Sequence, residues 1–596
     1  MFNRYSIAIT GLSMWPLSHP RTLIFILAFA AFGSPRWSPA VHAQVLLGIE
    51  TVAFTGTDAD FGPVLESGVT FASFRTPAIN PSGIIGFNGF VEGPGVNDVV
   101  NGSSILSANH EGIWFSDAAG LRPVIRVGRD QPPKIGQVPG TTFHRLGIGN
   151  FPRLGPQGQL LFTGLTTFWL WEDNAGNLSR IARWHSNGPL GLGRGPHVTF
   201  IGANISKTSY ESDGDVVFRA TVNQDIGGQF RGVWRVGDSG PQLVVRDRTT
   251  GEFGPNRGDE SYQRLRDAAL DPADNLFVTS PVVSTNSEYE GIIRIDDGPD
   301  TVFVRTGSDG ALGPQLGSGV VFSDVEGRPV GVNRILVSGK IGGTGIDSTN
   351  HEGFWVINEQ NIELIARTGT DAVGGPNLGS GVVFARGATT PDIVFPFISS
   401  AGNESETALV ARVSGNTFDP NVSIGIWFDD GSGLMPIAMT GESGPLGPNT
   451  SANEVFSYFD HISLGGDGTL VFSGWVDDVE SGASTSGLWM YDRNRVSPLL
   501  REGDELAVDT GGSRERLTVA DIAWTSAGNS SRGIAARISF TSGEQVQYQL
   551  MLTIVPEPSA ASLLVIPTCI LLLRRRDIRP HCVLCSFFAT QKVDAG

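Results

Sequence analysis

Two His-Glu pairs are the residues of this chain whose types could do chemistry most directly. They occur in the matching segments Asn109-His110-Glu111-Gly112 and Asn350-His351-Glu352-Gly353. An imidazole beside a carboxylate can ligate a metal ion or exchange protons. However, adjacent residues of a strand point to opposite faces, so the side chains of one pair are not expected to converge on one ion. Because both pairs precede the same kind of strand, we interpret them as hairpin turns inherited by duplication.

Acidic turns and tryptophans are the other residues that could form a site. The turns Asp213-Gly214-Asp215 and Asp296-Asp297-Gly298 offer oxygen ligands, but neither has the alternating run of a calcium loop, so we interpret both as solvated turns. The tryptophans recur at one position of a repeat, which favours packing between sheets over stacking on sugars. Phosphate-binding, serine-hydrolase and zinc-protease motifs do not occur. The sequence therefore predicts no catalytic residue, no metal site and no cofactor.

The composition favours strands over helices and excludes some classes of function. Glycine accounts for 78 of the 596 residues, and only 17% of the residues are charged. Such a chain suits short strands joined by glycine-rich turns. The formal net charge of −18 argues against nucleic acid as a partner. The three cysteines, Cys569, Cys582 and Cys585, lie near the C-terminus, so the long middle of the chain has neither a disulfide nor a cysteine nucleophile.

An apolar Gly-x-Trp strand recurs along the middle of the chain at a spacing of about sixty residues, which indicates a repeat architecture. Its five clear copies are Gly112-Ile113-Trp114, Gly232-Val233-Trp234, Gly353-Phe354-Trp355, Gly425-Ile426-Trp427 and Gly487-Leu488-Trp489. A glycine-containing turn and an outgoing strand come before several copies, as in Asn80 to Phe87. An apolar strand follows most copies, so each repeat holds about four short strands.

Repeated units of four antiparallel strands predict an all-β fold, a β-propeller of about eight four-stranded blades. Seven blades, or a pair of smaller propellers, are the alternatives. The last repeat strand, Gln547 to Leu552, has no room for a closing strand before Pro556. A surplus strand, Ile49 to Phe54, lies at the other end of the repeats. We therefore expect an N-terminal strand to close the ring, with the propeller spanning residues 44–554.

The N-terminus has the three parts of an export signal. Arg4 and Arg21 precede an apolar run, Leu23 to Phe32, which is too short to span a bilayer. Small residues then lead to a predicted cleavage between Ala43 and Gln44. The sequence therefore predicts a signal peptide over residues 1–43 and an exported protein.

The C-terminus combines a short motif, an apolar segment and a basic cluster. Pro556, Glu557 and Pro558 precede a short apolar transmembrane helix predicted over 559–573, which anchors the protein in the membrane before it is sorted. Arg574, Arg575 and Arg576 follow this helix as a membrane stop signal. This order resembles the PEP-CTERM sorting signal of Gram-negative bacteria, over residues 555–576. The resemblance implies a membrane-embedded, exosortase-like processing enzyme as a partner, with delivery to the cell surface or extracellular matrix. An ordinary transmembrane anchor is the alternative, and residues 577–596 are expected to be a disordered tail.

The repeats resemble a second family, the choice-of-anchor tandem-repeat proteins with the consensus Asn-x-x-Gly-x-x-Ala-Phe. Asn80, Gly83 and Phe87 match it, and Gly86 stands at the alanine position. The resemblance implies a repeat protein of unassigned biochemical role. The leading hypothesis is a noncatalytic interaction scaffold at the surface or in the matrix, with exopolysaccharide or surface proteins as partners. The alternative is an extracellular propeller enzyme, a polysaccharide hydrolase or lyase, which should concentrate distinctive charged residues at one end of its channel.

Overall fold

The computed structural model describes residues 46–555, apart from 58–59, 97–109, 128–152, 165–168, 175–176, 184–197, 225–227, 238, 297, 360, 386–396, 416–417, 421–422, 511, 527–532 and 543. Within this part of the chain, no helix has the length and apolar character that a membrane crossing requires. The predicted signal peptide with its Ala43–Gln44 cleavage, Pro556 to Pro558, the apolar helix 559–573, Arg574 to Arg576 and the tail 577–596 lie outside the described residues.

The described strands form eight sheets, which we number I to VIII along the chain. Sheet I contains β2 (Thr70–Phe74), β3 (Ala78–Ile79), β4 (Ile85–Glu92), β5 (Glu111–Asp117) and β6 (Gly120–Arg126). Sheet II contains β7 (Arg153–Leu154), β8 (Leu160–Gly164), β9 (Trp169–Asn174) and β10 (Asn177–Arg183). Sheet III contains β11 (Val198–Tyr210), β12 (Val216–Gln224), β13 (Gly228–Gly237) and β14 (Gly240–Arg246). Sheet IV contains β15 (Ser261–Tyr262), β16 (Asp267–Leu270), β17 (Leu276–Val283), β18 (Glu288–Ile295) and β19 (Thr301–Arg305).

The second half of the chain continues in the same way. Sheet V contains β20 (Val320–Gly331), β21 (Arg334–Gly343), β22 (Glu352–Asn358) and β23 (Asn361–Arg367). Sheet VI contains β24 (Val383–Phe384), β25 (Phe397–Gly402), β26 (Thr407–Ser414), β27 (Ile424–Asp429) and β28 (Met435–Met439). Sheet VII contains β29 (Glu454–Leu464), β30 (Leu470–Asp478), β31 (Ser484–Tyr491) and β32 (Val496–Arg501). Sheet VIII contains β33 (Glu505–Asp509), β34 (Arg514–Ser526), β35 (Gly533–Ser542), β36 (Glu544–Val555) and β1 (Leu46–Phe54).

Consecutive strands pair antiparallel within each sheet, as the hairpin pattern of the repeats predicts. Three sheets depart from this order, because β2 pairs with β4, β15 with β17 and β24 with β26. Strand β1 pairs with β36 at the other end of the repeats, with Leu46 opposite Val555 and Phe54 opposite Tyr548. The prediction that an N-terminal strand completes the last repeat is confirmed. Pairing the two ends removes a free strand edge and ties the first residues of the repeat region to the last.

Apolar clusters between neighbouring sheets join the sheets into a ring. Eight clusters of buried side chains each combine residues of two successive sheets. The cluster that closes the circle packs Ala535 and Met551 of sheet VIII against Phe71 and Phe87 of sheet I. Val45–Pro556 accordingly form one compact unit. The chain is therefore an all-β protein with a β-propeller fold, as its glycine-rich repeats predict.

The Gly-x-Trp motif has a steric explanation. The five tryptophans are fully buried, each facing the preceding sheet in one of these clusters. Residues i and i+2 of a strand share one face, so each indole lies over the glycine two residues earlier. A Cβ at any of these five glycines would lie 2.6 to 2.8 Å from the indole ring. Glycine is thus required where the tryptophan folds back over its own strand.

The indole is held from two further sides in several repeats. Its ring meets a phenylalanine of the first strand edge-on, with centroids 4.8 Å apart for Phe71 and Trp114 and 4.8 Å apart for Phe322 and Trp355. The Nε1–H of Trp114 donates to the carbonyl oxygen of Pro63 at 2.9 Å. Trp355 and Trp427 make the equivalent bond to a proline of the connecting loop. One side chain therefore fixes the loop, the first strand and the third strand of its repeat.

The asparagine of the Asn-x-x-Gly turn connects neighbouring sheets. Asn80 Oδ1 accepts hydrogen bonds from the backbone N–H groups of Ser82 and Ile84, at 3.0 and 2.9 Å. Its Nδ2 donates at 2.8 Å to the carbonyl oxygen of Gly155, which lies in the corresponding turn of sheet II. Gly83 supplies the positive φ, 81°, that closes the turn. This motif therefore builds a turn and links it to the next one.

We expect Gly353→Ala to destabilise the fold by about 1–3 kcal/mol, because the added methyl group overpacks the contact with Trp355. Urea denaturation followed by near-ultraviolet circular dichroism measures the change. Gly342→Ala is the matched control, since a Cβ there meets nothing within 4 Å. Equal stability of the two variants would show that the indole does not require glycine beneath it.

Candidate functional site

The first strands of neighbouring sheets lie close together around the centre of the ring. Contacts join β11 to β16, β16 to β20, β20 to β25 and β25 to β29. The last strands of the sheets are separated from this centre by the strands between. Side chains of the first strands that do not pack between sheets are therefore available to a central channel, which is where propellers commonly bind ligands.

A β-bulge recurs on these first strands, directly after the core residue that packs near the tryptophan. The register shifts at this point in sheets I, III, V, VII and VIII. We call the next cross-strand pair the bulge pair. In sheets I, III, V, VII and VIII respectively, the bulge pairs are Ser73–Phe90, Gly202–Thr221, Asp324–Lys340, Tyr458–Trp475 and Asp521–Ser539. Bulges redirect side chains and are frequent beside functional sites. The bulge pairs differ in chemistry from sheet to sheet, whereas the packing residues do not.

A cluster of charges surrounds the bulge pair of sheet V. Arg266, between β15 and β16, places Nη1 2.7 Å from Glu290 Oε1 and 3.3 Å from Asp324 Oδ1. Lys340 Nζ lies 4.0 Å from Asp324 Oδ2. A cavity of about 160 Å³ opens here, and Arg266, Asp324, Glu326 and Lys340 contribute to its walls. The cluster combines two cations with three carboxylates on the first strands and their neighbours.

Glu290 is the buried member of this cluster, with only 9% of its surface exposed. Burial raises the pKa of its carboxyl group to about 7, and the nearby Asp324 and Glu326 act in the same direction against the lowering effect of Arg266. Its hydrogen bond with Asp324 also raises this pKa. A carboxyl group poised near neutrality can carry a proton at physiological pH.

An arginine-rich recess lies beside the cluster. It has a volume of about 390 Å³ and is lined by Arg219, Thr221, Arg231, Arg264 and Arg266, which we call the arginine recess. Arg219 Nη1 donates to the carbonyl oxygens of Leu265 and Arg266, which fixes one guanidinium in place. Burial, and then the charge of Arg231, lower the pKa of Arg219.

Three of these arginines form no ion pair with any described residue. Arg266 is paired as described above, whereas no ion pair is found for Arg219, Arg231 or Arg264 within the part of the chain that the structure describes. Asp267 and Asp247 interact electrostatically with Arg219 and Arg231, but neither forms an ion pair with them. Several guanidinium groups in one concave surface concentrate positive potential there. The chain as a whole carries a net charge of −18, so this potential is local.

The two His-Glu pairs occupy equivalent positions, which supports their origin by duplication. The carbonyl oxygens of His110 and His351 accept matching backbone hydrogen bonds, at 2.6 and 2.7 Å. Glu111 and Glu352 begin β5 and β22 and are buried. The expectation that neighbouring side chains diverge is wrong for the second pair, because His351 Nε2 lies 3.8 Å from Glu352 Oε1. His351 precedes the strand, so the alternation of strand faces does not apply to it.

Glu290 stands at the same place in β18 and was missed by sequence reasoning. Its segment reads Tyr289-Glu290-Gly291 and so lacks the histidine that drew attention to the other two copies. The signal that could have found it is the Glu-Gly step, which opens the third strand in three repeats. Sequence alone does not show that Arg266 and Asp324, which come from two different sheets, meet this carboxylate.

The acidic turn of sheet III has more structure than a solvated turn. Oxygens of Glu211, Asp213 and Asp215 lie within 4.8 Å of one another, the only such acidic or His/Cys group found within the described residues. Arg235 Nε lies 2.6 Å from Glu211 Oε1 and so already supplies a positive charge to the group. In the other turn, Asp296 pairs with Arg294 at 2.8 Å and accepts a hydrogen bond from Thr301. Both turns therefore have structural roles in this protein.

Sequence comparison assigns the chain to a family. A family of unknown function, DUF7453, matches residues 98–335, 165–390 and 284–561 in three overlapping segments. The chain belongs to DUF7453. The overlapping matches follow from the internal repeat, because a profile of several units aligns to the ring in more than one register. None of the curated proteins matches the chain.

Solved structures similar to this member of DUF7453 include a β-propeller domain and several enzymes. The β-propeller domain of the Trilobed protease from Pyrococcus furiosus is 10% identical with a TM-score of 0.33, over 72% of this chain and 98% of that one. The polysaccharide lyase Uly1 is 10% identical with a TM-score of 0.30, over 70% and 94%. Acylaminoacyl peptidase from Pyrococcus horikoshii is 10% identical with a TM-score of 0.34, over 78% and 57%. At these scores the likenesses say nothing about activity.

The raised pKa of Glu290 predicts a pH-dependent stability. The ordinary value is 4.5, so between about pH 4.5 and about pH 7 the folded protein keeps a proton that the unfolded chain has released. The free energy of unfolding therefore falls as pH rises through this window. We expect wild type to lose about 1–2 kcal/mol relative to Glu290→Gln between about pH 5 and about pH 8. Urea denaturation at each pH measures this difference.

The control for this experiment is Glu505→Gln, which removes an exposed carboxylate of β33. Its stability relative to wild type should not change across the same range. A Glu290→Gln variant that also tracks wild type at every pH would place the pKa of Glu290 at its ordinary value.

Proposed function

We propose that this protein is a noncatalytic interaction scaffold whose propeller binds an acidic polysaccharide through the arginine recess. The observation that carries the proposal is the set of three guanidinium groups in one concave surface, Arg219, Arg231 and Arg264, which form no ion pair with the described residues. Guanidinium groups bind carboxylate and sulfate groups through two parallel hydrogen bonds. An acidic chain would find a positive surface here, while the negative charge elsewhere would disfavour nonspecific binding.

The ring geometry supports this role. We infer eight blades, one for each of the eight sheets, because each sheet packs on the next through its own apolar cluster. A closed ring holds its sheets rigidly, so Arg219 and Arg231 of sheet III keep a fixed distance from Arg264 of sheet IV. A repeating polyanion gains most from such spacing, since little side-chain and backbone freedom is lost on binding.

The enzymatic alternative is an extracellular polysaccharide hydrolase or lyase, and Glu290 is the observation that favours it. Its pKa near 7 suits a general acid, and Asp324 supplies a second carboxylate. The geometry argues against it, because one nitrogen, Arg266 Nη1, contacts both carboxylates. Glu290 is moreover buried beside the cavity rather than facing it. We therefore propose that the cluster holds Arg266 in place and that the protein is not an enzyme.

We expect the double variant Arg231→Ala/Arg264→Ala to bind alginate at least about tenfold more weakly than wild type, because two guanidinium contacts are lost. The binding should also become less sensitive to salt between about 50 mM and about 500 mM NaCl. Isothermal titration calorimetry of residues 44–555 with alginate oligosaccharides measures both quantities. Cleavage of the alginate during the titration would contradict the noncatalytic role.

The control is Arg516→Ala, which removes an equally charged but 79% exposed side chain on β34, outside the recess. It should bind like wild type. Equal losses in the control and in the recess variant would mean that only net charge matters, and that the recess is not a site.

We also propose that the protein is exported, processed at Pro556 to Pro558 by an exosortase-like enzyme, and delivered to the cell surface or extracellular matrix. Support comes from the sequence of the two termini, with Arg574 to Arg576 after a short apolar segment. The motif follows β36 within a residue, so a processing enzyme would act close to the ring.

Mass spectrometry of the mature protein from its native host tests this proposal. We expect a chain that begins at Gln44 and lacks the apolar segment 559–573 and everything after it. Glu557→Ala is expected to retain the full C-terminus, because the motif that the enzyme reads is damaged. An intact tail in wild type would instead support a simple membrane anchor.

A further inference from the structure

The bulge pair of sheet VII consists of two large aromatic side chains that the packing of the ring does not use. Tyr458 on β29 and Trp475 on β30 are directly opposite each other, and 41% and 46% of their surfaces are exposed. In contrast, the tryptophans of the Gly-x-Trp motif are completely buried. Neither of these two side chains makes a hydrogen bond or a ring contact with the residues that the structure describes.

Their exposure follows from the regular alternation of β30. Leu470, Phe472, Gly474 and Val476 are buried, whereas Trp475 belongs to the opposite face. The bulge between Phe456 and Tyr458 brings the tyrosine to the position opposite Trp475. Directly opposite residues of an antiparallel pair share one face, so both aromatic side chains lie on the same side of the sheet.

Hydrogen-bonding groups border the two aromatic side chains. Ser473 and Asp477 are on the same face of β30 as Trp475, one on each side of it. Ser457 Oγ donates to Asp477 Oδ1 at 2.9 Å, which orients this carboxylate beside the aromatic pair. The surface is therefore apolar in the middle and polar at its border.

This combination suits a sugar better than a protein partner. A pyranose ring has an apolar face of C–H groups and an edge of hydroxyl groups, which match an aromatic surface and its polar border. A stable protein interface buries about 1,200–2,000 Å² in total and needs a wider apolar centre. Two side chains bordered by a serine and a carboxylate do not supply that area. The negative charge of Asp477 also disfavours an acidic sugar at this point.

We propose that Tyr458 and Trp475 form a second glycan subsite, an aromatic platform on which an uncharged pyranose ring stacks. The platform deepens the function proposed above, on which it rests for its assignment to polysaccharide. The arginine recess would bind acidic units of the chain and the platform neutral ones. The platform is the bulge pair of sheet VII, and the arginine recess includes Thr221 from the bulge pair of sheet III. At these positions the packing of the ring does not require a particular side chain.

Acrylamide quenching of tryptophan fluorescence in residues 44–555 tests the platform. Trp475 should supply a strongly quenched component that Trp475→Phe lacks. We expect cellohexaose, a neutral probe, to protect this component. We also expect Trp475→Ala and Tyr458→Ala to bind cellohexaose about tenfold more weakly. Salt should have little effect on this binding, because no charge pair is involved.

Val479→Ala is the matched control, because Val479 is an exposed apolar residue just after β30 and should leave binding unchanged. If wild type fails to protect Trp475 from acrylamide, or if Trp475→Ala binds cellohexaose like wild type, the platform is overturned. The same titrations with Arg231→Ala/Arg264→Ala separate the two proposals. Cellohexaose binding without alginate binding in wild type supports the platform and overturns the recess, whereas the reverse result overturns the platform alone.

Discussion

The fold depends on one contact, the indole ring that lies across the glycine of its own strand. At Gly425 a Cβ would approach the ring of Trp427 to 2.6 Å, so the side chain can take this position only above glycine. The same indole meets Phe384 edge-on at 4.9 Å and donates to the carbonyl oxygen of Pro376 at 2.8 Å. The third strand, the first strand and the connecting loop of this repeat are thus fixed to one another. Since the ring also faces the preceding sheet, the contact sets how one repeat packs on another.

In the five repeats with the Gly-x-Trp motif, this constraint separates the residues that the packing requires from those that it does not. The glycine, the tryptophan and the phenylalanine of the first strand are all committed to packing. The bulge pair that follows the phenylalanine is released from it, because the extra residue turns the strand out of the regular ladder. In sheet V the pair is Asp324–Lys340, and in sheet VII it is Tyr458–Trp475. The side chains of the bulge pair therefore differ in chemistry from sheet to sheet, because the packing of the ring does not depend on them.

The fold could be predicted from the sequence because its rules are local. The spacing of Gly112 and Trp114 predicts a strand and the face on which it packs. The turn at Asn80 to Gly83 predicts the hairpin before that strand. Even the closing strand could be predicted. The repeat region lacks a strand at its C-terminal end and has a surplus strand at its N-terminal end, and pairing these two ends completes the last sheet. Each of these inferences uses residues close together in the chain.

The candidate site could not be predicted in the same way, because its members are brought together by the ring. Glu290 and Asp324 lie on strands of two different sheets and Arg266 lies in a loop, and no motif connects the three residues. The exposure of Trp475 could not be predicted for a different reason. This tryptophan lies outside the Gly-x-Trp repeat, so its position in the sequence does not indicate which face of the sheet it occupies.

The irregular members of a repeat are therefore the better guide to function in this architecture. A tryptophan that recurs must satisfy packing in every repeat, and its burial leaves nothing for a ligand. A tryptophan that occurs once, at a position where other repeats have phenylalanine, threonine, lysine or serine, serves no packing role that its equivalents share. The same reasoning applies to charge. The chain has a net charge of −18, and yet the arginine recess brings together three guanidinium groups that form no ion pair with the described residues. Such a local departure from the overall charge is what a binding site for an anion requires.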